Sequence, residues 1–274
     1  MSRTQSRSGG VYVGLTAGLV LMVLPFVWMA LSSLKPEGEV MAVPPTWWPE
    51  TVTLSNYQVL FDKLDFTTYF TNSLLVAGAV TVGNMLFCSM LGYALAKLAF
   101  PGKRLMFALV LGTLMIPGVV TFVPLFVLVS NLGMADTLTG MVLPFLAGPF
   151  GVFLMRQFIL SLPDELIDAA RVDGAGELRI FFSVVLPLCA PALATLGILT
   201  FLTSWNNFLW PLAVASSEEK YTLPVALALY SVGQNATKYG LLLAGAVVVV
   251  IPVIAVFLLL QRHIMQGIAM TGIK

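Results

Sequence analysis

The sequence predicts an all-α integral membrane protein with six transmembrane helices and a cytoplasmic helix–glycine hinge–helix loop between the fourth and the fifth. The first observation is composition, because 58% of the 274 residues are hydrophobic and 10% are charged, whereas soluble domains carry about 25% charged residues. The second is the length of the apolar windows, since a helix needs roughly 17–25 residues to cross the hydrocarbon layer. The third is the charged stretch 161–188, the longest between two apolar blocks.

Six apolar windows are long enough to span a bilayer, and none is long enough for two crossings with a turn. The windows are 11–31, 70–95, 105–129, 138–157, 191–214 and 240–260. Each is predicted to be a helix, because backbone N–H and C=O groups in lipid must find their partners within the segment. The whole chain, 1–274, is therefore predicted to be a single transmembrane domain.

The distribution of Lys and Arg predicts the orientation, because cytoplasmic loops of membrane proteins carry an excess of them. With six spans, both termini and the stretch 161–188 lie on one side. Only Lys35, Lys63, Lys220 and Lys238 fall on the other side, which leaves ten of the 14 Lys and Arg residues with the termini. The sequence thus predicts cytoplasmic termini and a cytoplasmic loop.

The first half of the charged stretch predicts a helix. Pro163 suits the first turn, where its missing N–H is no loss, and Asp164 and Glu165 complement the positive end of the helix dipole. Residues at helical spacing are expected to share one small, apolar face. These residues are Leu162, Leu166, Ala169 and Ala170.

Gly174 is predicted to end this helix, because glycine readily adopts the left-handed conformation found at helix ends. A second helix is expected from Ala175 towards Val185. A charged loop of this kind can simply be solvated. The hinge glycine between two helices, followed by Pro187 and Pro191, favours a docking element for a partner outside the membrane.

The residues 165–170 (ELIDAA), 173–175 (DGA) and 186–188 (LPL) resemble the EAA loop of bacterial ABC importer permeases. The chain has Asp168 where the family pattern has Glu. The resemblance implies that this stretch is a coupling loop that sits in a cleft of an ATP-hydrolysing subunit. The residues that it assigns to coupling are Glu165, Asp168, Ala169, Ala170, Asp173, Gly174 and Ala175.

The segments 33–61 and 204–212 resemble the carbohydrate type of these permeases, in particular the smaller permease of the maltose and glycerol-3-phosphate systems. The resemblance implies binding-protein-dependent import of a sugar or sugar-like solute across the bacterial cytoplasmic (inner) membrane. The implied partners are a second homologous permease, a dimer of ATP-binding subunits, an extracytoplasmic solute-binding protein and the lipid bilayer. The chain itself is expected to bind no cofactor, since Mg-ATP belongs to the partner subunits.

Polar residues within the predicted spans are candidates for the substrate path, because amides in lipid need a partner or a polar cavity. Carboxamides beside an indole also suit the hydroxyls and C–H faces of a sugar. The candidates are Trp205, Asn206, Asn207 and Asn84. Trp205 and Asn206 are the preferred pair. Asn84 is expected more as a hydrogen bond between helices than as a ligand.

Several function classes are disfavoured. The chain has no GxxxxGK[ST] phosphate-binding sequence, no nucleophile or acid–base set that suggests catalysis, and no predicted metal site. A net charge of +1 gives no basic field for nucleic acid. The alternative function is an ion-coupled secondary transporter of a small polar solute. Such transporters usually place ionisable residues inside their spans, and the interior of these spans lacks them.

Overall fold

The computed structural model describes residues 4–231 and 238–271, with the side chains of 10–62, 64–230, 238–259 and 261. Over these residues the chain is helical and contains no strand, which confirms the predicted all-α class. The helices are α1 (Thr4–Ser33), α2 (Glu37–Val40), α3 (Ser55–Lys63), α4 (Phe66–Lys97), α5 (Lys103–Leu114), α6 (Gly118–Asn131), α7 (Leu138–Val142), α8 (Pro149–Leu160), α9 (Asp164–Val172), α10 (Glu177–Ile180), α11 (Leu186–Leu188), α12 (Ala190–Trp205), α13 (Leu209–Val214), α14 (Leu223–Ser231) and α15 (Tyr239–Thr271).

Three of the predicted windows lie within continuous helices that are long and apolar enough to cross a membrane. They are Gly10–Ser33 of α1, Phe66–Lys97 of α4 and Tyr239–Leu259 of α15. The predicted windows 11–31 and 70–95 fall inside the first two, and 240–260 matches the third to within a residue.

The prediction of single helices for the other three windows was wrong. Within 105–129, the helix axis turns by 104° between α5 and α6. The helix breaks there because Pro117 has no N–H and disfavours helical geometry at the residue before it. Within 138–157, helices bend by 41° at the break before Pro149. Within 191–214, α12 ends at Trp205 and α13 begins only at Leu209. The third bent pair is Glu177–Leu188 with Ala190–Trp205, at 80°, and it begins before the predicted window. Counting each bent pair as one span gives up to six spans.

The chain divides into two compact units. The first comprises Met1–Phe66 and Ala226–Ile251. In it, the carboxylate of Glu37 accepts hydrogen bonds from the backbone N–H groups of Tyr239 and Gly240, at 2.7 and 2.9 Å. These N–H groups begin α15 and have no partner within the helix, so Glu37 satisfies donors that the helix leaves open.

The second unit comprises Thr67–Val225 and Pro252–Lys274, and it holds both regions that the sequence singled out. Its buried cluster joins α4, α8, α9, α10 and α12. Gly92 of α4 allows a close approach to α8, because a Cβ there would lie 2.9 Å from both the backbone nitrogen of Arg156 and the Cβ of Met155. Glycines commonly permit such close helix packing in membranes.

Candidate functional site

The stretch 161–188 contains a helix, a left-handed glycine and a second helical segment. Helix α9 ends at Val172, two residues before Gly174. The φ of Gly174 is +77°, and its N–H donates to the carbonyl of Arg171 at 3.0 Å. The second helix begins at Glu177, two residues later than expected, and passes through a π-helical turn, Phe181–Val185. Glycine takes this φ without strain, so it sets the direction of the second segment.

The candidate coupling residues lie mostly on the surface. Exposed members of the set are Glu165, Asp168, Ala169, Asp173 and Gly174, whereas Ala170 and Ala175 are half-buried against the core cluster. Three of the exposed members carry carboxylates, namely Glu165, Asp168 and Asp173.

The expected single apolar face of α9 was wrong in part. Leu162 and Ala170 pack on the core, while Leu166 is 46% exposed and Ala169 faces solvent. The helix starts only at Asp164, so Leu162 does not follow its periodicity. Ile167, which is 2% exposed, supplies the buried face instead.

Charged contacts hold the two halves of the loop. Lys97 Nζ lies 2.6 Å from Asp164 Oδ1 and donates to the carbonyl of Leu162 at 2.7 Å. Arg171 donates to Glu177 Oε1 at 2.9 Å and to Asp168 Oδ1 at 3.0 Å. The hydrogen bond and charge of Lys97 lower the pKa of Asp164.

Glu177 is the point where the second half of the loop meets α4. Its carboxylate also accepts a hydrogen bond from the hydroxyl of Tyr93. The bond from Arg171, followed by that from Tyr93, lowers the pKa of Glu177. Sequence reasoning missed Tyr93 and Lys97, since nothing in the chain pairs them with carboxylates so far along the sequence.

A cavity of about 710 Å³ forms the second region of interest. Its wall comes from α4, from α7 and the segment into α8, and from α12 and α13. No Asp, Glu, Lys, Arg or His occurs among its lining residues. The lining residues with polar side-chain atoms are Asn84, Thr200, Thr203, Ser204, Asn207 and Trp210.

Asn84 joins two helical segments in the cavity wall. Its Nδ2 donates to the carbonyl of Phe145 at 3.2 Å, and its Oδ1 accepts from the thiol of Cys88 at 3.2 Å. A Cβ on Gly151 would lie 2.7 Å from this oxygen, so the glycine makes room for the amide. The structure thus confirms the expected hydrogen bond between helices and also places Asn84 in the wall.

Of the other three candidates, one lines the cavity and two do not. Asn207 lines the cavity, and its Oδ1 accepts from the backbone N–H of Trp210 at 3.3 Å. Trp205 is outside the lining, because its buried ring stacks on Phe201 with a centroid distance of 5.6 Å. Asn206 is also outside it and donates to its own helix. Solute contact stays a prediction for every candidate.

Comparison with known proteins identifies the family. Residues 88–270 match the family described as "Binding-protein-dependent transport system inner membrane component". The chain belongs to this family. It is therefore a permease component of the inner membrane, and it has the ABC permease fold.

Relatives of this permease cover nearly its full length. The arabinooligosaccharides transport system permease protein AraQ of Halalkalibacterium halodurans is 41% identical, over 93% of this chain and 92% of that protein. The sn-glycerol-3-phosphate transport system permease protein UgpE of Yersinia enterocolitica is 33% identical, over 94% of each. A solved bacterial ABC transporter involved in import of the acidic polysaccharide alginate contains a chain with a TM-score of 0.82 and 26% identity, matched over 96% of this chain and 98% of that one.

Proposed function

We propose that this permease is one subunit of an ATP-driven importer that moves a sugar or sugar-like solute across the cytoplasmic membrane. It pairs with a second homologous permease and with two ATP-binding subunits, which hydrolyse Mg-ATP, and an extracytoplasmic binding protein delivers the solute. The observation that carries the proposal is the match, over 93% of this chain, to a permease named for arabinooligosaccharide transport, at 41% identity.

The cavity supports a sugar as the solute. Sugar hydroxyls need hydrogen-bond donors and acceptors, and amide and hydroxyl side chains occur together in this wall, as at Asn207 and Thr203. The absence of an ionisable residue from the lining speaks against the alternative, an ion-coupled secondary transporter, because coupling to protons or cations usually requires one.

The exposed side of the coupling loop is the proposed contact with the ATP-binding subunits. Residues 165–175 present carboxylates and small side chains there. ATP binding closes the partner subunits, and the loop transmits that closure to the spans, which change from inward-open to outward-open. Such a shift requires that ATP binds the two states with different affinity. In this arrangement both termini and the loop lie in the cytoplasm.

Two substitutions test this proposal in the assembled transporter. Gly174→Pro removes the N–H that bonds to Arg171 and excludes a φ of +77°, and Asp168→Lys reverses the charge on the exposed side of α9. Both are expected to abolish solute-stimulated ATP hydrolysis, measured on complexes that still insert and assemble.

Gly176→Pro is the matched control, because Gly176 already has a φ of −69°, which proline adopts. It is expected to retain stimulation. Normal stimulation in both Gly174→Pro and Asp168→Lys would refute the assignment of this loop to coupling.

A further inference from the structure

Helix α4 reaches without a break from the cavity to the coupling loop. Its residues Val76, Val80 and Asn84 line the cavity, and Tyr93 and Lys97 contact the loop. Nine residues separate Asn84 from Tyr93, which is roughly 14 Å along a helix at 1.5 Å per residue. The same rigid element therefore touches both regions.

The loop meets this end of α4 at three points. Lys97 bonds Asp164 and the carbonyl of Leu162 at the start of α9. Ile167, in the middle of α9, belongs to the same buried cluster as Tyr93. The hydroxyl of Tyr93 bonds Glu177 at the start of α10. Helices on both sides of the Gly174 hinge are thus attached to one helix.

Helix α4 is in turn attached to the other half of the cavity wall. Its Gly92 packs against the backbone of α8, and Arg156 of α8 donates to the carbonyl of Leu95 at 3.2 Å. Asn84 bonds the carbonyl of Phe145, near the start of α8. A displacement of α4 would carry this part of the wall with it.

We propose that Tyr93 and Lys97 are positioning residues that fasten the coupling loop to α4 and so make the cavity wall follow the loop. The inference rests on the proposed function of the permease. The two side chains touch neither solute nor nucleotide, and they act through Asp164 and Glu177. We call the contacts Lys97–Asp164 and Tyr93–Glu177 the loop anchors.

The burial of Lys97 and Tyr93 explains why the loop anchors resist separation when the loop moves. The Lys97 side chain is 6% exposed, whereas Asp164 is 74% exposed. Tyr93 is also buried, and Glu177 is exposed. Pulling the loop away would leave a buried ammonium group without its carboxylate, which is strongly unfavourable. The exposed carboxylates are the mobile side of each anchor, and α4 is the fixed side.

The test uses the complete transporter in proteoliposomes, with arabinotriose and its binding protein as the probe. The variants are Tyr93→Phe, which removes only the hydroxyl, and Lys97→Met, which removes the charge and the N–H donors at similar length. Each is expected to lower the arabinotriose imported per ATP by at least about fivefold, the lower end of usual coupling between sites. A double variant that exchanges the charges, Lys97→Asp with Asp164→Lys, is expected to recover part of the import per ATP.

The readout separates positioning from mere support of the fold. Assembly and the basal ATPase rate are expected to stay at wild-type levels. Lys103→Met is the control, because Lys103 bonds the carbonyls of Ala96 and Leu98 beside this site, and no hydrogen bond joins it to the described residues of the loop. Wild-type import per ATP in both Tyr93→Phe and Lys97→Met would overturn the anchors while leaving the proposed function intact. A wild-type complex that imports neither arabinotriose nor any other sugar would count against the proposed function instead.

Discussion

The coupling loop and the cavity wall lie in the same helical unit, but their helices are held by different interactions, charged in the loop and uncharged in the wall. Each of the three ion pairs found among the described residues involves the stretch 164–177. The cavity lining contains no charged residue, and its helices are joined by the amide of Asn84 and by close contacts at Gly151. Water is available to the first region, whereas the second belongs to the predicted spans.

The difference separates parts that can be rearranged from parts that keep their shape. An exposed ion pair, such as those that Arg171 makes with Asp168 and Glu177, contributes about 0–1 kcal/mol, so it can break and form again in a working cycle. A buried polar group that loses its partner costs about 1–3 kcal/mol, because water does not replace the bond. We therefore expect substitutions in the wall to affect stability and substitutions in the loop to affect coupling.

The largest stability effect is expected from filling the space at Gly151. A Cβ there would lie 2.7 Å from Asn84 Oδ1 and from Cys88 Sγ, so Gly151→Leu requires α4 and α8 to separate. Overpacking of this kind typically costs about 1–3 kcal/mol or more. The thermal midpoint of the permease in detergent should fall by several degrees. Gly78→Leu, on α4, is the control, because a Cβ at Gly78 would have no neighbour within 4 Å. An equal fall in the thermal midpoint for both variants would refute the close packing at Gly151.

A second substitution compares one polar group from each region. Asn84→Asp removes the donor to Phe145 and puts a carboxyl group in a buried site, which should cost about 1–3 kcal/mol. Glu177→Gln changes an exposed side chain and should cost about 1 kcal/mol or less. Thermal unfolding of both variants measures the contrast. A larger loss for Glu177→Gln would reverse the comparison.

The sequence predicted the loop better than the wall, and the reason is the range of the interactions. Gly174 ends α9 through local backbone geometry, which a single residue type reveals. The orientation of Trp205 depends on Phe70, which is distant in sequence and meets the indole edge-on at 5.8 Å. A cluster of amides and indoles predicts a polar feature in a span, but it does not tell which ring faces the cavity.

The breaks in the spans show the same limit. The window 105–129 was predicted as one helix, yet the chain turns by 104° between α5 and α6, at Pro117. The anchors were missed for a related reason: Lys97 and Asp164 are 67 residues apart, and neither carries a local motif. Long-range pairs of this kind become visible only in the folded chain.

The smallest expected effect is the pH dependence of the Arg171–Glu177 pair, and its sign follows from the lowered pKa. The bond from Arg171 lowers the pKa of Glu177 below its ordinary value of 4.5. A carboxylate with a lowered pKa stabilises the folded state above its unfolded pKa and loses that contribution as the pH falls through the folded value. The difference in thermal midpoint between wild type and Glu177→Gln should therefore stay constant from pH 8 to about 5 and shrink below pH 4.5.

Because the pair is partly exposed, salt should reduce the same difference. A difference that is unchanged at pH 3 would show that Glu177 does not act through its charge, and the loop would then be held by packing, as the wall is.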